Sequence, residues 1–174
     1  MLTNDEYKAR LEEVQSVTVT LDDDPINQGL QSINKKIATV QRAKDRIGHL
    51  LVESIKNRAE CQIILDGKKA EYNIELDHLL ATDMDVQAQK SEALRKATAN
   101  TKMADVVLQM HYAEKDFTTA DAYHKCVNQI YANLESVNSN LSRQVSVIQM
   151  GISIGEVNGD TFKELFQGRS INVK

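Results

Sequence analysis

The sequence predicts an all-α protein, an elongated helical hairpin or bundle with coiled-coil-like seams and a short extended segment near residues 17–21. Two observations carry this. Ile26, Leu30, Ile33, Ile37, Val40, Ile47, Leu51 and Leu65 advance in steps that keep to a repeat of three and four residues, and Tyr123, Val127, Ile130, Leu134, Val137, Leu141 and Ile148 do the same. A 3.5-residue repeat holds one narrow apolar seam toward a partner helix. The chain also has one proline and seven glycines in 174 residues, which leaves long stretches without helix breakers.

The elements follow in order. Thr3 or Asn4 can cap a first helix with Tyr7, Leu11 and Val14 on one face. Val17 to Leu21 alternates like a strand but has no evident partner, so it reads as an extended connector able to pair with a neighbouring subunit. Asp22-Asp23-Asp24-Pro25 is the clearest helix start: Asp24 suits the cap, Pro25 the first helical position, and the acids the positive end of the dipole. The helix is expected to run to Leu65, about 60 Å at about 1.5 Å per residue. Lys44, Ser54, Arg58 and Cys61 also fall on its repeat, and polar seam residues fix register and partner number at a cost in stability. Asp66-Gly67 is expected to break it, and a less regular helix carries Tyr72, Leu76 and Leu80.

Thr82-Asp83-Met84-Asp85 reads as a turn and cap. Val86 to about Glu114 is rich in Ala, Lys, Gln and Glu, which are strong helix formers. Phe117-Thr118-Thr119 is expected to interrupt before the second seam, which continues to about Met150. Gly151, Gly155 and Gly159 are then expected to end regular structure. The organisation is thus residues 1–24 as an N-terminal helix and acidic connector, 25–150 as the helical core, and 151–174 as a tail. Thr161 to Phe166 in that tail is a short amphipathic piece, either folded back on the bundle or serving as a docking peptide through Phe162, Leu165 and Phe166.

Hydrophobic residues make up 41 % and aromatic residues 5 % of the chain, enough for a core. No run of about eighteen apolar residues exists, so no membrane span is expected. The polar start Met1-Leu2-Thr3-Asn4-Asp5-Glu6 lacks a secretory signal, which points to the cytoplasm. Cys61 and Cys126 have no metal-type spacing and read as core thiols, with a disulfide as the alternative. His49, His78, His111 and His124 form no His-x-x-x-His or Glu-x-x-His pair. A phosphate-binding glycine loop, a nucleophile elbow and a dinucleotide fingerprint are all missing. Glu71, Glu75 and Asp83 have no complementary set such as a di-metal bundle needs. The chain is therefore expected to be neither an enzyme nor a holder of a cofactor.

The net charge of −4 conceals segregation. Residues 35–69 hold nine basic against four acidic residues, a balance of +5, and the segments on either side, 1–34 and 70–124, each stand at −5. Lys35, Lys36, Arg42, Lys44, Arg46, Lys56 and Arg58 are dispersed in angle around the long helix. One reading is an ordinary solvated bundle surface whose basic stems cover the seam edges. The other is a surface for phosphates, mostly electrostatic and salt-sensitive, with Tyr72 the best stacking candidate.

The order of features resembles the UvsY-type recombination mediators of tailed phages. The points of likeness are the acidic leader ending in Leu21-Asp22-Asp23-Asp24, the long Lys- and Arg-rich helix, Met84-Asp85 with Lys90-Ser91-Glu92, Asp105, and a final helix carrying Leu141-Ser142-Arg143 and Ile148-Gln149. They cover roughly residues 10–150. Two departures stand out: only Asp66-Gly67-Lys68-Lys69 occupies the place of that family's basic, glycine-containing turn, and the tail after Gly151 is extra. The resemblance implies a ring-forming homo-oligomer on single-stranded DNA that helps a RecA-like recombinase displace a single-strand-binding protein, in the host cytoplasm if phage-encoded. It makes Lys56, Arg58, Lys68 and Lys69 the foremost DNA contacts, with Lys35, Lys36 and Arg42 as further candidates. The alternatives are a structural coiled-coil subunit or adaptor, such as a phage scaffold or connector, and a regulator that binds one enzyme through Phe162, Leu165 and Phe166.

Overall fold

The computed structural model describes residues 4–15 and 25–154, apart from side chains near the ends of those spans. The expected connector at 17–21, the docking residues Phe162, Leu165 and Phe166, and the side chains of Tyr7, Leu11, Val14 and Ile26 lie outside the described residues. The fold is all-α: α1 (Asn4–Gln15), α2 (Pro25–Thr82), α3 (Met84–Gln87), α4 (Glu92–Lys102) and α5 (Ala104–Ile154), with no strand among the described residues. Segments of α2 and α5 pack against one another in each of two compact units. Glu53–Lys125 forms the turn unit; the terminal unit is drawn from Asp5–Val52 and Cys126–Lys174.

Two expected breaks do not occur. α2 passes through Asp66-Gly67, where it was expected to end. A mid-helix glycine costs about 1 kcal/mol against alanine, and local bonds offset it: Gln62 donates to Asp66 at 2.8 Å and Lys68 bonds Glu71 at 2.7 Å. α5 likewise passes through Phe117-Thr118-Thr119. The two threonine hydroxyls donate to the carbonyls of Glu114 and Lys115, at 2.8 and 2.9 Å, so they do not compete with the helix for its own amides. α5 also continues beyond Gly151 to Ile154.

The cap expected at Asp83 is present. Asp83 is extended and accepts the amides of Asp85 and Val86, at 3.0 and 3.1 Å. The following stretch is not one helix: Ser91 caps α4 through the Leu94 amide, and Met103 separates α4 from α5 at φ −106° and ψ 35°. Lys102 closes the turn with 2.7 Å bonds to Asp83 and a 2.8 Å bond to Asp85.

In the terminal unit the buried residues are large and aliphatic. Ile33, Val40 and Ile47 recur every seven residues on α2, and Val127, Leu134, Leu141 and Ile148 do so on α5. Leu30 is buried beside them, and Ile37, Leu51, Ile130 and Val137 are half-buried at the seam edges. The helices run antiparallel there, with Lys44 bonded to Glu135 and Gly48 beside Tyr131.

In the turn unit the same seven-residue spacing continues with other residues. Ser54 and Cys61 on α2 and Ala113 and Ala120 on α5 are buried, together with Asn57, Leu65, Ala99, Met103 and Tyr123. Ser54 meets His124 Nδ1 at 3.0 Å, and the pairs Arg58–Asp121 and Lys68–Gln109 show the helices antiparallel here too. Cys61 and Cys126 are both free thiols, and burial, aided by the charge of Asp116, pushes the Cys61 thiol up.

Candidate nucleic-acid interface

A helix that buries every seventh residue from Ile33 turns the residues two places further on to the opposite side. In the terminal unit those are Lys35, Arg42 and His49, and all three are exposed. They share one outward stripe, so the basic residues of this part of α2 are less dispersed in angle than their sequence suggests. Lys36 is half-buried and Arg46 is exposed near the stripe. The Arg42 Nε donates to the Ala38 carbonyl at 3.2 Å, which lays its stem along the helix. Asp45, the nearby acid, accepts from Gln41 at 3.1 Å.

Beside the stripe lies a shallow groove of about 410 Å³, lined by α2 from Gln41 to Val52 and by Tyr131. Lys44 crosses it toward α5, its ammonium 5.5 Å from the Tyr131 ring centroid and 3.3 Å from Glu135. Held by both a ring face and a carboxylate, Lys44 is a seam residue more than a ligand donor.

The foremost candidates from the sequence lie in the turn unit, and most are engaged within it. Arg58 donates to Asp121 at 2.6 Å and lies 5.7 Å from the Phe117 ring centroid. Lys68 sits between Glu71 at 2.7 Å and Gln109 at 2.6 Å. Lys69 stands 4.0 Å from Glu114. Asp121 also takes Lys125 at 2.7 Å, and the Lys125 hydrogen bond, then that of Arg58, holds its carboxyl below the usual range. Lys56 is exposed and, unlike the other three, forms no ion pair among the described residues. Tyr72, the stacking candidate, is half-buried and donates to Asn100 at 3.1 Å.

The structure therefore brings Lys35 and Arg42 together with His49 and places Arg58, Lys68 and Lys69 in ion pairs with α2 and α5. The stripe was legible as the spacing 35, 42, 49; taking all the basic residues of α2 at once hid it. Among the described residues no group of three or more His, Cys, Asp or Glu side chains could hold a metal ion, and no helix is long and apolar enough to cross a membrane. Compared with known protein families, curated proteins and solved structures, the chain matches none.

Proposed function

We propose that this chain is an oligomeric, non-enzymatic protein that binds the phosphate backbone of single-stranded DNA and helps load a RecA-like recombinase. The observation that carries the reading is the exposed Lys35–Arg42–His49 stripe, set on an otherwise acidic chain and facing away from the buried seam. Lone Lys and Arg contacts along a helix reach phosphates without reading bases, and repetition of the stripe in an oligomer multiplies modest contacts. The recombinase, and with it the host cytoplasm, enters through the likeness to UvsY-type mediators.

The test is binding of a labelled single-stranded oligonucleotide across a salt series. Replacing Lys35, Arg42 and Arg46 together by Ala is expected to weaken binding and to flatten the log–log salt slope by about 2, near 0.7 for each phosphate no longer neutralised. No retention by the wild type at low salt, or an unchanged slope in the triple variant, would overturn the reading. A second reading, a structural assembly subunit without nucleic acid, is favoured by one observation: Ile55, Ile63 and Ile74 stand exposed on α2 while Arg58, Lys68 and Lys69 are occupied by the chain's own side chains.

A further inference from the structure

α2 in the turn unit is apolar on two faces. One face buries Ser54, Cys61 and Leu65. At about 100° per residue, Ile55, Ala59, Ile63, Ala70 and Ile74 fall within a band of about 100° on the opposite side. All five are exposed, Ile55 by 51 %, Ile63 by 72 % and Ile74 by 71 %. Three exposed isoleucines on one band exceed the scattered apolar residues of an ordinary surface and mark an interaction face. Gly67 lies near the middle of the band's length, about 20° beyond its edge at Ile74, and a Cβ built there would meet nothing within 4 Å.

We infer that this band is the contact between two copies of the chain, packed antiparallel about a two-fold axis beside Asp66 and Gly67. An isologous interface must be complementary to itself, and the band is. With Asp66 of one copy opposite Gly67 of the other, Ile63 faces Ala70 and Ala59 faces Ile74, so these two isoleucines each meet an alanine, while Ile55 falls opposite the exposed His78. The same register sets Lys56 against Asp77, two exposed residues that form no ion pair among the described residues. The two Asp66 carboxylates come near each other at the axis, and their repulsion limits the affinity. This surface deepens the oligomeric part of the proposed function and needs none of its nucleic-acid part.

The test is the subunit number and dissociation constant of the full chain, by sedimentation and native mass spectrometry without nucleic acid. Ile63→Asp, at a surface position, is expected to weaken self-association by about tenfold or more with helix content unchanged. Lys56→Asp and Asp77→Lys are each expected to weaken it several-fold, and the two together in one chain to restore it, because both cross-copy pairs are then reversed. Asp66→Asn is expected to strengthen it. Self-association unaffected by Ile63→Asp, or a double swap as weak as the single ones, would overturn the proposal. So would apolar protection of the band that disappears only when residues 155–174 are removed, since the occupant would then be the chain's own tail. Failure of the nucleic-acid reading appears separately, in the salt series with the Lys35, Arg42 and Arg46 variant at unchanged subunit number.

Discussion

The terminal and turn units use the same two helices and the same seven-residue spacing, yet they invert each other. The terminal unit buries Ile33, Val40, Ile47, Leu134 and Leu141 and shows Lys35, Arg42 and His49 outward. The turn unit buries Ser54, Asn57, Cys61, Ala113 and Ala120 and shows Ile55, Ile63 and Ile74 outward. Large aliphatic layers stabilise a helix pair on their own. Small and polar layers give less, and the turn unit adds edge bonds, among them Arg58–Asp121, Lys68–Gln109 and the Lys102 clamp on Asp83 and Asp85. The turn unit thus pairs a small, partly polar seam with an apolar outer face, and the terminal unit pairs a large aliphatic seam with a basic outer face.

The contrast has a measurable scale. Ile47→Ala or Leu134→Ala in the terminal unit is expected to cost about 2–5 kcal/mol in chemical denaturation, whereas Cys61→Ala in the turn unit should cost about 1 kcal/mol. Equal costs would break the comparison. Ser54→Ala removes the partner of His124 and is expected to cost about 1 kcal/mol, with reduced amide protection confined to the turn unit. Gly48→Ala sharpens the terminal side: its Cβ would sit 3.8 Å from the Tyr131 ring, an ordinary contact, so thermal stability should rise by up to about 1 kcal/mol.

The smallest expected effect is acid sensitivity of the turn unit. Hydrogen bonds from Lys102, Lys96 and Lys125 hold the carboxyls of Asp83, Glu92 and Asp121 below their ordinary values of 3.8, 4.5 and 3.8. A lowered native value means the stability is present above the unfolded value and is lost as pH falls through the native one. Amide protection in α3, α4 and the start of α5, taken relative to the intrinsic exchange rate at each pH, should therefore fall below about pH 4. High salt should shrink the effect, since all three acids are at the surface. An equal fall in protection around Val127 and Leu134 would count against it.

Much of this was readable from residue spacing. The seam positions Ile33, Val40, Ile47, Val127, Leu134 and Leu141, the polar seam residues Ser54 and Cys61, and the Asp83 cap all follow from local rules. The continuity of α2 at Gly67 and of α5 at Phe117 did not: the local bonds of Gln62, Lys68, Thr118 and Thr119 are joined there by side chains distant in sequence, Gln109 for Lys68 and Arg58 against Phe117. The engagement of Arg58 and Lys69 was hidden for the same reason, since Asp121 and Glu114 stand on another helix. The outward isoleucines were visible as residues, but a 3.5-residue template collects one face and passes over a second.

The cap at Asp83 has a consequence for how the chain finds its fold. Partners across the turn lie further apart in sequence with distance from it: 41 residues for Lys68 and Gln109, 63 for Arg58 and Asp121, 70 for Ser54 and His124, and 91 for Lys44 and Glu135. Loop-closure entropy grows by about 0.6 kcal/mol for each doubling of length. The polar layers thus ask for the shortest loops, and the aliphatic layers, which release the most free energy, ask for the longest. Zipping that starts at the turn moves through weak layers first and gains its main stabilisation only as Ile47, Val40 and Ile33 dock. The chain is committed last where it is held most firmly.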